Sequence, residues 1–487
     1  MKEAIAGIEP QLLWNHFYEI CQIPRCSKHE EKIRQYVIQV AERNNASYKT
    51  DEVGSVVIRK PATAGKENAP VVVLQSHLDM VCEKNKDTVH DFSKDPIKIK
   101  RDGDWIKADG TTLGADNGIG VAAALAVLES KNMVHGPLEL LFTIDEETGL
   151  TGATMLGKDM LNGRILLNMD SEEDGAIYIG CAGGRDTELL LPLETEAAPA
   201  GYQAVELKVG GMLGGHSGLN INEGRGNAIK QLARFLFNMG RELNFRLELM
   251  DGGSKHNAIP RECDAILHVK PGDRESLAKK VAEFDSVLNA EYQGIEPNIF
   301  AKLITDGVKT SGRVMTENLQ KRAINAVFAL PHGVLGMSHA IEGLVETSNN
   351  VAVVKMKGDK FSVYTSQRSS VGTELEEVSG QIIAVGELVG AEIVQDEGYP
   401  SWQPNPDSAT LKEAEKVFKS LFHKEPEVKA IHAGLECGII GDKFPGMDMI
   451  SFGPTILGAH SPDEKVEITA VKKFWEFLQS MLEHLAA

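Results

Sequence analysis

A chain of 487 residues exceeds what one hydrophobic core organises, so its length predicts two domains or one domain carrying a large insertion. A content of 42% hydrophobic and 25% charged residues excludes a disordered or fibrous protein. The formal charge of −19 argues against nucleic acid and anionic membrane as partners, because both require a basic footprint.

The opening segment MKEAIAGIEPQLLWNHFYEI lacks a signal peptide's apolar core, and no stretch reaches the roughly 18 apolar residues of a membrane span. A cytoplasmic location is expected. The six cysteines (Cys21, Cys26, Cys82, Cys181, Cys263 and Cys437) form no C-x-x-C pair and are expected to be reduced, mostly buried thiols.

In chain order, the apolar runs VVVLQS (71–76), LELLFTI (138–144) and RILLNMD (164–170) alternate with helical patterns, the signature of an α/β sheet. Between the first two, DNGIGVAAALAVLES from Asp116 to Ser130 reads as a buried helix after a glycine-rich turn, which makes a βαβ unit. From about Thr187 to about Ala384 the alternating segments QAVELKVGG, RLELMDGG, CDAILHVK, VAVVKMKG and FSVYTSQRSS predict a separate α+β domain. Each half of that region combines a helix (NAIKQLARFLFNM; ENLQKRAINAVFAL) with strand pairs, which suggests internal doubling without a residue-level repeat. The α/β style then resumes with a helix over SATLKEAEKVFKSLF, strands over EVKAIHA and MDMISFG, and an amphipathic closing helix over KKFWEFLQSMLEHL.

The chemistry sits at the ends of these strands. The first ends in His77-Leu-Asp79, an H-x-D pair at a carboxyl edge where ligand crevices form; taken alone it reads as a hydrogen-bonded surface histidine. Asp116 lies where the glycine-rich turn enters its helix, and an N-cap is the simpler role there. Asp145, Glu146 and Glu147 follow the next strand, and their mutual repulsion favours a cation site over a solvated patch. Asp170 ends a further strand, and His460 stands in the glycine-flanked loop after MDMISFG. As a set, these residues carry the inventory of a two-ion site: one bridging carboxylate, and for each ion a histidine and a further carboxylate.

The motifs SHLDMV, GADNGIG, FTIDEETGLTGA, NMDSE and GAHSPDE closely resemble those of the co-catalytic zinc peptidases related to aminoacylase and carboxypeptidase G. Through GGHSG, HNAIPREC, SQRSS and HAGLECG the likeness covers nearly the full chain and points to the dipeptide-cleaving members. The resemblance implies an α/β catalytic domain, with a mixed central sheet flanked by helices, built from residues 1–186 and 385–487, and an α+β lid inserted at 187–384. It implies two zinc ions per chain, which cobalt or manganese can replace. Asp116 bridges them, His77 and Asp170 complete one coordination shell, and Glu147 and His460 complete the other.

By the same resemblance Asp79 orients His77 and Glu146 is the general base that takes a proton from the attacking water. In the lid, His216 resembles the family histidine that stabilises the oxyanion, and Asn257 and Arg368 resemble residues that contact substrate; each alone would read as an ordinary turn or solvated residue. Arg368 offers the planar fork that fits a terminal carboxylate. The implied activity is hydrolysis of dipeptides, Xaa-His and other Xaa-Xaa including β-alanyl-histidine, by a homodimer in which His216 serves its own chain or the other. Two further readings are an N-acyl amino acid amidohydrolase, since the metal site does not distinguish acyl donors, and a non-catalytic metal-dependent binding protein, against which Glu146 beside Glu147 speaks.

Overall fold

The computed structural model describes residues 2–487. The chain divides into two units, one comprising the residues up to Gly180 with Pro404–Ala430 and Leu435–Ala487, the other comprising Cys181–Gln403 with Ile431–Gly434.

In the first unit the apolar runs assemble into an eight-stranded sheet. Its order is Ser47–Thr50, Val56–Lys60, Leu138–Thr143, Val72–His77, Ile165–Asn168, Asp448–Ser451, Ala176–Cys181 and Glu427–Ile431. The four strands from Leu138–Thr143 to Asp448–Ser451 are mutually parallel, whereas Val56–Lys60 and Ala176–Cys181 join them antiparallel. Leu138–Thr143 and Val72–His77 are buried at every position, which is why they read as unbroken apolar runs rather than alternating ones. Because these strands run the same way, the residues that follow them emerge along one edge of the sheet.

Helix Ala115–Glu129 packs on strand Val72–His77 and on helix Gln11–Cys21. Alanine is the strongest helix former and its short side chain permits close approach, so AAALA is suited to a helix buried nearly all round. The entry differs from the sequence pattern. Gly114 stands before the helix at φ 69°, and Asp116 and Asn117 keep non-helical dihedrals across a cis peptide bond. Asp116 therefore lies inside an irregular first turn, and the cap position belongs to Gly114. A four-stranded sheet of Ile456–Leu457, Lys465–Glu467, Trp105–Ala108 and Ile99–Asp102 frames the loop that carries His460. Strands of two to four residues give too few alternations to register in a sequence pattern.

The second unit is α+β. Its nine-stranded sheet runs Phe300–Ile304, Gln203–Gly210, Cys263–Val269, Phe245–Gly252, Val345–Lys357, Lys360–Ser369, Gly183–Pro192 and Glu392–Gln395, with Gly333–Met337 beside Val345–Lys357. Its two halves join where Gly252 pairs with Val354. Helices Ala228–Met239, Arg274–Glu291, Glu317–Ala329 and Gly372–Val389 contribute Leu232, Leu277, Leu319 and Ile382 to one core with Leu207, Leu247, Leu267 and Val363 from the strands. Each such side chain, once fully buried, stabilises the fold by about 1.5–3 kcal/mol. Helix Arg274–Glu291 was not among the expected elements; it buries only Leu277, Val281, Phe284 and Leu288 in an otherwise charged stretch.

One expectation is corrected. Cys26 and Cys82 form a disulfide with their Cα atoms 5.7 Å apart, so the six cysteines are not all reduced; Cys21, Cys181, Cys263 and Cys437 are buried thiols. A separation of 56 residues leaves no spacing signal. The pair is brought together by the tertiary fold, through a bridge between Cys26 and Met80 and a hydrogen bond from Met80 N to Arg25 O.

Beyond strand Asp448–Ser451, Gly453 lies so close to Ser171 that an added Cβ would overlap the Ser171 carbonyl oxygen. Gly453→Ala should therefore displace the segment that follows Asp170 and destabilise the protein by about 1–3 kcal/mol in urea unfolding. An unchanged midpoint would show that this contact is slack.

Candidate metal centre

The carboxyl edge of the parallel strands gathers the acids and histidines singled out above. His77 ends strand Val72–His77 and is 1% exposed. Its Nε2 lies 3.1 Å from Asp116 Oδ1 and 3.2 Å from Asp170 Oδ1. His460 Nε2 lies 3.1 Å from Asp116 Oδ2 and 3.0 Å from Glu147 Oε2. The two oxygens of Asp116 thus face two different histidines, and each histidine meets one further carboxylate. Ligand atoms of His77, Asp116 and Asp170 all lie within 4.8 Å of one another, as do those of Asp116, Glu147 and His460, and those of His77, Glu146 and Glu147.

Local backbone makes this convergence possible. His460 adopts φ 63°, a left-handed conformation uncommon for a residue with a side chain. Asp79, fully buried, holds four partners: its Oδ1 lies 3.3 Å from His77 Nδ1 and accepts the Glu146 N–H at 3.0 Å, and its Oδ2 accepts the Glu147 N–H at 3.2 Å and the Ser27 hydroxyl at 2.7 Å. One carboxylate therefore fixes a histidine ring and the backbone of both glutamates. Of the three consecutive acids, Asp145 is used differently: it accepts the hydroxyls of Thr148 and Thr151 within its own turn.

The electrostatics are those of a cation site. Hydrogen bonds that His460 donates to Asp116 and then to Glu147 raise it to about 11. Burial works to lower His77, but Asp170, Asp116 and Asp79 outweigh it and hold it well above the ordinary histidine value. Burial carries Asp170 up to about 6, and burial together with Asp170 and Glu147 raises Glu146 well above the carboxylate range. Among the described residues no lysine or arginine forms a salt bridge with Asp116, Glu146, Glu147 or Asp170. Glu147 Oε1 is buried with no hydrogen-bond partner in the protein. Crowded carboxylates, an unsatisfied buried oxygen and two imidazoles form a donor set that fits two divalent ions sharing Asp116.

The three remaining candidates lie in the second unit. His216 pairs with Ala258 in a two-residue ladder, and the Asn257 carbonyl accepts the Ser217 N–H at 2.9 Å, so His216 and Asn257 are neighbours. The His216 Nδ1 accepts the N–H groups of Gly218 at 3.2 Å and Leu219 at 3.1 Å, which leaves the ring proton on Nε2. Arg368, 7% exposed in strand Lys360–Ser369, donates from Nη1 to the Tyr399 hydroxyl at 2.9 Å, and its buried Nε has no partner in the protein.

Sequence reasoning passed over several residues of both units. Glu436 is fully buried and accepts from Gln75 Nε2 and Thr143 Oγ1, both at 2.6 Å, beneath the strands that end at the metal centre; burial pushes it up to about 7. His432, buried in the second unit, meets the Ser348 hydroxyl at 2.7 Å. Both stand in the HAGLECG motif, the only signal that marked them. Arg25 and Ser27 carried no signal, because their partners lie 52 or more positions downstream.

The sequence profile of Peptidase family M20/M25/M40 matches residues 73–484, and the chain belongs to that family. It is 44% identical over 483 residues to the cytosol non-specific dipeptidase of Escherichia coli, covering 99% of each protein. The crystal structure of aminoacylhistidine dipeptidase from Vibrio alginolyticus superposes with a TM-score of 0.91 at 44% identity over 99% of each chain. An aminopeptidase from Bacillus cereus shares the fold at a TM-score of 0.58 and 16% identity, covering 99% of this chain and 100% of that one.

Burial first, then the charges of Arg368 and His256, hold His216 down to about 4 from an ordinary 6.5. The unfolded chain therefore binds more protons between these values, and the His216 contribution to stability falls as pH drops from about 6.5 towards about 4. Ring nitrogen NMR should find a neutral Nε2–H tautomer throughout the neutral range. A midpoint near 6.5 would contradict the packing described.

Proposed function

We propose that the protein is a dipeptidase that uses two zinc ions, which cobalt or manganese can replace, and that Xaa-His dipeptides, including β-alanyl-histidine, are among its substrates. The reading places it in the cytoplasm, as the name of the Escherichia coli relative indicates for that protein, and as a homodimer. The observation that carries it is the Asp116 carboxylate, whose two oxygens each face a different histidine. His77, Asp116 and Asp170 would hold one ion, and Asp116, Glu147 and His460 the other. When bound, the ions supply Lewis acidity and lower the pKa of water, so that nucleophile and carbonyl are activated together.

The chain's own residues do the rest. Glu146 takes the proton of the attacking water and returns it to the leaving amine; a raised proton affinity brings a carboxylate closer to working pH, and a placed base contributes roughly 10²–10⁴-fold. Asp79 holds His77 and sets the height of Glu146 through its backbone N–H. In the second unit, which serves as the lid, His216 donates its Nε2–H to the developing oxyanion. Arg368 has a donor, Nε, without a partner in the protein and receives the substrate's terminal carboxylate, with Asn257 beside His216 as a further contact. Recognition of that carboxylate is what limits the substrate to two residues.

Glu146→Gln should bind two ions yet lose about three or more orders of magnitude in kcat on dipeptides. Near-native turnover would remove Glu146 from the role of base. Arg368→Lys should raise KM for dipeptides by about tenfold or more while a dipeptide amide, lacking the carboxylate, is little affected. Assayed side by side, dipeptides should be cleaved in preference to tripeptides and N-acetyl amino acids, and chelation should abolish turnover until zinc is restored. Preference for N-acetyl amino acids would make the protein an amidohydrolase instead.

A further inference from the structure

Building on the paired-ion reading, we propose that Glu464 and Arg25 are positioning residues that jointly hold the turn carrying Asp116, so that its carboxylate can serve two ions at once. The turn is Leu113-Gly114-Ala115-Asp116, and every N–H in it is directed at one side chain. Glu464 Oε2 accepts from Leu113 N at 2.7 Å and Gly114 N at 2.9 Å, and its Oε1 accepts from Ala115 N at 2.7 Å and Asp116 N at 3.3 Å. Glu464 is 2% exposed. It belongs to the same loop as His460, closed by hydrogen bonds from Ser461 N to Gly458 O and from Glu464 N to Ser461 O. The loop that supplies one ligand therefore grips the backbone of the shared ligand.

Arg25 fastens the same turn through its carbonyl. Its guanidinium, also 2% exposed, donates from Nη1 to Leu78 O at 2.9 Å and Asp79 O at 2.6 Å, and from Nη2 to Gly114 O. One planar cation thus ties the segment after His77 to the turn before Asp116. The glycines of GADNGIG fit this arrangement: a Cβ on Gly114 would meet Arg25 Nη2 at 2.5 Å, and one on Gly118 would meet it at 2.8 Å. Charge-assisted hydrogen bonds are roughly twice as strong as neutral ones, and seven of them converge on two short segments. A bridging carboxylate needs such restraint more than a terminal ligand does, because a rotation that improves its bond to one ion lengthens its bond to the other.

Glu464→Gln tests the proposal. The carboxamide keeps one acceptor oxygen and turns its N–H donors towards backbone N–H groups. Zinc affinity should fall about 10–100-fold in a chelator competition, with bound zinc dropping below two per chain at concentrations that saturate the wild type. Saturating zinc should restore kcat with KM unchanged, as expected of a residue that acts only through the site's geometry. Arg25→Lys keeps the charge, loses the fork and should move both readouts the same way; it decides the matter should Glu464→Gln fail to fold by circular dichroism. Wild-type zinc affinity and stoichiometry in the folded variants would overturn the proposal and leave the paired-ion reading intact. A wild-type protein that itself binds no pair of ions would overturn that reading first, and this one with it.

Discussion

Four carboxylates brought within a few ångströms of one another repel, and the arrangement persists only if positive charge stands between them. Here Asp116, Glu146, Glu147 and Asp170 meet two imidazoles, and Asp116 is shared between both. The rest of the first unit can be understood as the means of holding that one carboxylate. Asp79 braces His77 and the two glutamates, Glu464 grips the backbone of the Asp116 turn, and Arg25 ties that turn to the segment after His77. Each of these braces is a buried charge engaged by hydrogen bonds, Glu464 and Arg25 with backbone groups and Asp79 with backbone N–H groups, His77 and Ser27, the condition under which burial of a charge is tolerated.

The sheet makes the gathering possible. Four parallel strands deliver His77, the Glu146–Glu147 pair, Asp170 and the His460 loop to one edge, although these positions are distant along the chain. Beneath them runs a line of buried polar groups from Glu436 through Gln75 and Asn168 to Ser451 and Ser171. Such a network fixes the relative heights of neighbouring strands, since a shift of one breaks bonds to the next. The contact between Gly453 and Ser171 serves the same end beside Asp170.

Much of this was legible in the sequence, for physical reasons that differ by element. The buried strands announced themselves as apolar runs, and the chemistry stood directly after them, so His77, Glu147 and Asp170 could be assigned to one edge before any coordinates. The Ala115–Glu129 helix was equally plain, but its irregular start was not: a non-helical Asp116 depends on the tertiary grip of Glu464 and Arg25, which leaves no local pattern. The Cys26–Cys82 pair was misread for a related reason, because only the folded chain brings those positions together. Short strands such as Ile456–Leu457 and Lys465–Glu467 fell below the length at which alternation can be recognised. Roles for His216, Asn257 and Arg368 came from resemblance alone; what the structure adds is a tautomer for His216 and an unpartnered Nε on Arg368.

The account turns on whether one carboxylate holds two ions. Crystals grown with zinc and measured on both sides of its absorption edge would decide this. Two anomalous peaks about 3.5–4 Å apart, with Asp116 between them and His77 and His460 on separate peaks, are the predicted result. A single peak, or two peaks with Asp116 bound to only one, would contradict it.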